Sequence, residues 1–75
     1  MRVPLLDNWS LTTDHAAASY GRPVLVIDGT AYGPADIVEL GSHHMPAAEA
    51  VRRLTASASL DADERALVKA FIFEG

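Results

Sequence analysis

The chain has 75 residues, a formal net charge of −4 from six basic and ten acidic side chains, and no cysteine. A chain of this length holds one core, which excludes enzymes built from separate cofactor and substrate lobes. Without thiols, disulfide frameworks, thiolate zinc sites, iron–sulfur clusters and cysteine nucleophiles are excluded, and the acidic balance has the wrong sign for affinity gained by neutralising phosphates.

A hydrophobic fraction of 49% predicts a folded domain rather than a disordered one. Thirteen of those residues are alanine, which leaves 24 larger apolar side chains for the interior. A core this thin supplies about 3 to 5 kcal/mol, and a small domain without disulfides draws further stability from a metal or a partner subunit. The segment Met1 to Trp9 lacks the apolar stretch of a signal peptide, and the longest run of large apolar residues is Val24 to Ile27. A cytoplasmic protein that neither is secreted nor spans a membrane is expected.

In chain order, Trp9 to Thr12 reads as a short strand, followed by a turn or helical turn in which Asp14 is placed to cap His15 to Ser19. Val24 to Ile27 is apolar and rich in β-branched residues, Asp28-Gly29 follows, and Thr30 to Tyr32 resumes before Gly33-Pro34. Asp-Gly between such runs signals a hairpin, because a type I′ turn needs positive φ at both central residues. Val24 to Ile27 is apolar on both faces, so a central strand covered on each side is expected, one cover being the chain's own helices and the other a second subunit.

Asp36 to Leu40 fits either a helical turn or a strand, and the β-branched Ile37 and Val38 favour the strand. Gly41 to Met45 looks like the remnant of an affinity tag, yet between two well-formed elements it reads as a native loop. Pro46 then takes the first helical position, with Ala47, Ala50, Val51 and Leu54 forming one apolar stripe and Glu49 and Arg53 spaced for an ion pair. Asp61 and Glu64 have capping-box spacing, and Leu67, Val68, Phe71 and Ile72 give a second helix a broad apolar face. Phe73 lies off that face. The whole predicts one small α+β domain, residues 1–75, with an antiparallel sheet around the Asp28-Gly29 hairpin carrying a C-terminal αα-hairpin.

The stretch Val24 to Thr30 resembles the first motif of haloacid dehalogenase-type phosphotransferases, in which a hydrophobic strand ends in Asp-x-Asp-Gly-Thr. Asp28 matches the general acid of that motif, but Val26 stands where the nucleophilic carboxylate belongs, so the resemblance implies no phosphoryl transfer. His15, His43 and His44, with Asp36 or Glu39, invite a metal site, but adjacent loop histidines do not preorganise one and a solvated role is expected. Asp61-Ala62-Asp63 opens like a calcium loop, but Arg65 and Ala66 occupy the fifth and sixth positions, so it reads as a helix start. A helix-turn-helix reader of DNA would place Asp61, Asp63 and Glu64 at the start of its second helix, where they repel phosphate.

With no catalytic, cofactor or metal set to assign, the sequence predicts a non-enzymatic, homodimeric protein-binding module or regulatory accessory protein. Its alanine-rich composition suits a bacterial or phage source. Trp9, Val24, Val26, Tyr32 and Phe73 are the interface candidates, because an aromatic or apolar side chain that proves exposed marks a contact surface. A helix-turn-helix regulator of nucleic acid and a small subunit of a larger enzyme or assembly are the alternatives. No membrane partner and no small-molecule substrate are expected.

Overall fold

The computed structural model describes residues 1–18 and 22–73. Its elements are β1 (Arg2–Pro4), β2 (Trp9–Thr12), β3 (Val24–Ile27), β4 (Thr30–Tyr32), β5 (Ile37–Leu40), β6 (His43–Pro46), α1 (Ala47–Thr55) and α2 (Ala62–Phe73). Strands β1 to β4 form an antiparallel meander in sequence order, and β5 pairs with β6 in a separate two-stranded sheet. This is the expected α+β architecture, with a strand at Arg2–Pro4 that the sequence pattern does not reveal.

The β3–β4 hairpin turns on Asp28 and Gly29, at φ 50° and 82°. Both central residues are therefore left-handed, as the type I′ turn demands, and Ile27 faces Thr30 across it. A Cβ built on Gly29 would meet no atom within 4 Å, so only backbone strain opposes a substitution there. Gly29→Ala is therefore expected to cost about 1 to 2 kcal/mol, the penalty of a left-handed backbone for an L-residue. The denaturant midpoint of the variant measures it, at unchanged m-value.

Asp36 to Leu40 resolves as a strand from Ile37 onward, hairpinned to what the sequence pattern presents as a loop. Gly41 has φ 64° while Ser42 stays at negative φ, the arrangement of a glycine-first II′ turn, and His43 to Pro46 returns as β6. The histidines hid this strand, since neither has strong β-propensity. Pro46 ends β6 and is the N-cap of α1, one position before the expected one. It supplies no capping side chain. Instead the Ala47 amide donates to the Asp36 carbonyl at 2.7 Å and the Ala48 amide to that of Pro34 at 3.0 Å. Two of the helix's orphan donors are thus satisfied by the turn before β5.

Asp14 does not cap a helical turn. Its carboxylate lies 2.9 Å from the Met1 ammonium, while His15 Nδ1 accepts from the Ala17 amide at 3.0 Å. The part of that expectation falling on Ser19 lies outside the described residues. The second helix starts as its sequence demands: the Glu64 amide donates to Asp61 Oδ1 at 2.8 Å, and the Asp61 amide to Glu64 Oε1 at 3.1 Å. Such a cap contributes about 1 kcal/mol.

One core joins these layers: Val3, Trp9, Leu11 and Leu25 from the large sheet, Val38 and Met45 from the small one, Ala47, Ala50 and Val51 from α1, and Val68 and Phe71 from α2. Phe71 is the largest side chain fully enclosed there. Phe71→Ala removes about 3 to 5 kcal/mol by lost transfer energy and cavity formation, which is comparable to the whole stability of so small a domain. Loss of the far-UV circular dichroism signal of the native fold at 25 °C is the expected outcome.

Candidate interaction surface

The register of the large sheet sorts its side chains into two faces. Directly opposed residues of antiparallel strands point the same way, and alternate residues point oppositely. The pairs Val3↔Leu11↔Leu25↔Tyr32 and Trp9↔Ile27↔Thr30 therefore share the inner face, which meets the helices and the small sheet. The outer face consists of Arg2↔Thr12↔Val24 and Pro4↔Ser10↔Val26↔Ala31.

Val24, Val26 and Ala31 are half-buried, and unlike Ile27 and Tyr32 they do not pack against the core. Among the described residues, the inner side of β3 belongs to the core through Leu25 and Ile27, while Val24 and Val26 on its other side lie outside that cluster. Ser10 and Thr12 lie in the floor of the outer face at 8% and 7% exposure. The Thr12 hydroxyl donates to the Met1 carbonyl at 3.1 Å and accepts from the Asp14 amide at 2.9 Å, so it is satisfied within the chain. Arg2 is the one charged residue of the seven. The other six are uncharged, and Val24, Val26 and Ala31 are the half-buried apolar members of the face.

The five sequence-derived interface candidates separate in space. Val24 and Val26 come together on the outer face. Trp9, at 6% exposure, is consumed by the core, because its position in β2 alternates with Ser10 and points inward. Tyr32 is half-buried against the same core. Phe73 is 78% exposed at the last turn of α2, off the apolar face that Val68 and Phe71 present to the core. Arg2, Pro4, Ser10, Thr12 and Ala31 complete the outer face and were not foreseen. The alternation Trp9-Ser10-Leu11-Thr12 carries the signal for two of them, but their neighbours are fixed only by strand register.

The other motifs also find their places. Asp28 lies exposed in the hairpin turn, its amide donating to the Asn8 carbonyl at 3.1 Å. Both β2 and β4, which flank its strand, run antiparallel to it, unlike the strands of a doubly wound sheet. His44 faces Glu39 across the small sheet at 3.8 Å with both side chains well exposed, and His43 pairs with Leu40. Among the described residues no three His, Cys, Asp or Glu side chains gather as a metal set, and no helix is long and apolar enough to cross a membrane. Comparison with protein families, with curated proteins and with solved structures finds no match to this chain.

Glu49 on α1 carries the clearest electrostatic signature. Arg52 Nε donates to its Oε2 at 2.8 Å and Arg52 Nη2 to its Oε1, while the expected partner Arg53 stands at 3.4 Å. Hydrogen bonding to Arg52 holds the Glu49 carboxyl below its ordinary value of 4.5, opposed by partial desolvation, and raises Arg52 in return. A depressed carboxylate stabilises the fold above the unfolded-state value and loses that contribution as pH falls through the folded one. Glu49→Gln should therefore melt lower than the wild type at pH 7, the gap closing in acid. Thermal melts from pH 7 down to pH 3 check this.

Proposed function

We propose that this protein is a non-enzymatic, homodimeric protein-binding module of the cytoplasm, acting through contacts made by its large sheet. The observation that carries the reading is the outer sheet face: Val24, Val26 and Ala31 stand together outside the core that Val3, Leu11 and Leu25 build on the other side of the same strands, with Pro4 beyond Ser10. The two helices each present one apolar stripe, and both are used on the inner face. An apolar surface of this kind, free of converging titratable groups, is suited to protein contact rather than to bond-breaking chemistry.

Self-association is the simplest use of such a layer, since two-fold dimers are the commonest assemblies of identical chains. Light scattering across a dilution series into the high micromolar range tests it. The expected mass is twice the 8.0 kDa of the single chain, falling toward the monomer on dilution. A monomer throughout overturns self-association.

A further inference from the structure

The two edges of the large sheet are built differently. In the β3–β4 hairpin the turn-flanking residues Ile27 and Thr30 exchange their backbone groups, so the next pair, Val26 and Ala31, does not. The N–H and C=O of Ala31 accordingly point away from β3, and none of the turn, loop or cap hydrogen bonds among the described residues uses them. At the other edge the Leu5 amide donates to the Trp9 carbonyl at 3.0 Å, which sets the alternation in β1 so that Arg2 and Pro4 point outward. Pro4 has no N–H to offer and Arg2 adds a charge. Both are devices that blunt an edge against pairing.

No such device protects β4. Thr30, Ala31 and Tyr32 are uncharged, none is proline, and the small Ala31 side chain leaves room for a second backbone. Beyond it the ladder stops, because the Gly33 amide is held by Asp36 Oδ2 at 2.8 Å. The available donor and acceptor therefore sit on one residue at the centre of a three-residue strand. That arrangement is self-complementary: a two-fold axis through Ala31 sets each outward N–H against the other copy's C=O.

We propose that β4 is the dimerisation edge, with Thr30 to Tyr32 of one copy pairing antiparallel with the same strand of a second copy, Ala31 against Ala31. The inference rests on the self-association proposed above, but places the contact at the sheet edge and leaves the outer face of both copies open. Thr30 of each copy then stands beside Tyr32 of the other on the inner side. The two four-stranded meanders become one eight-stranded sheet whose outer faces are continuous across the axis.

The test uses the full chain and two substitutions at one position. Ala31→Pro deletes the outward N–H without removing a bond of the β3–β4 ladder, since proline is tolerated at edge positions whose N–H faces away from the sheet. Its scattering mass is expected to halve at a concentration where the wild type is dimeric, with the far-UV circular dichroism spectrum unchanged. Ala31→Cys introduces a single thiol into a cysteine-free chain, and paired residues in this register lie about 5.5 Å apart at Cα, within disulfide reach. Mild oxidation should convert it to a covalent dimer on a non-reducing gel, whereas Ser42→Cys in the β5–β6 turn should stay monomeric there. If Ala31→Pro unfolds, the Ala31→Cys cross-link decides. A dimeric wild type whose Ala31→Cys form fails to cross-link, or a folded Ala31→Pro variant that remains dimeric, overturns the β4 edge and moves the contact to the outer face. A monomeric wild type overturns the self-association reading itself.

Discussion

The hydrogen bonds from the Ala47 and Ala48 amides to the carbonyls of Asp36 and Pro34 fix the arrangement of everything after β4. A helix whose N-cap is proline has no side chain with which to satisfy its first donors, and buried unsatisfied donors are costly. Here the turn that leaves the large sheet provides the acceptors. Asp36 serves twice: its carboxylate closes the turn on the Gly33 amide, and its carbonyl receives the start of α1. The small sheet is therefore a loop drawn shut at its base, and α1 leaves that base in one direction only. With α1 set beside β5 and β6, its stripe of Ala47, Ala50 and Val51 joins the core, and α2 packs against α1 with Val68 and Phe71 in the same core.

Those same constraints explain which parts of the fold were legible in the sequence. The Asp28-Gly29 hairpin and the Asp61–Glu64 capping box are local, each specified by residues within a few positions of one another. The helix stripes follow from spacing alone. In contrast, β1 is three residues long with proline at its end, and it is a strand only because Leu11 and Ser10 lie alongside it. Strand β6 contains two histidines and a proline and takes its conformation from pairing with β5 and from the glycine turn before it. The first position of α1 was displaced by one residue because its first amides are satisfied by the distant carbonyls of Asp36 and Pro34, beyond any local motif.

The candidate surface was half legible for a similar reason. The four apolar residues of β3 announced two faces, and Val24 with Val26 indeed share one. Which aromatic would join them was not decidable from composition: Trp9 and Tyr32 flank β3 on either side, but register turns both inward. Apart from Arg2, the remaining constituents are small residues placed there by their address in the sheet. Nothing in Ser10, Thr12 or Ala31 singles them out in the sequence, and they share a face with Val24 and Val26 only once four strands are aligned.

The order of the strands has a kinetic consequence. Every hydrogen-bonded pairing in both sheets joins neighbours in the chain, β1 to β2, β2 to β3, β3 to β4 and β5 to β6. Loop-closure entropy grows with the length of chain enclosed, so topologies made of sequence-local contacts reach their transition state quickly. Two of these connections enclose only two residues, Asp28-Gly29 and Gly41-Ser42, and so cost least to close. The longest runs from Thr12 to Val24. Its closure therefore carries the largest entropic cost of any pairing in the two sheets.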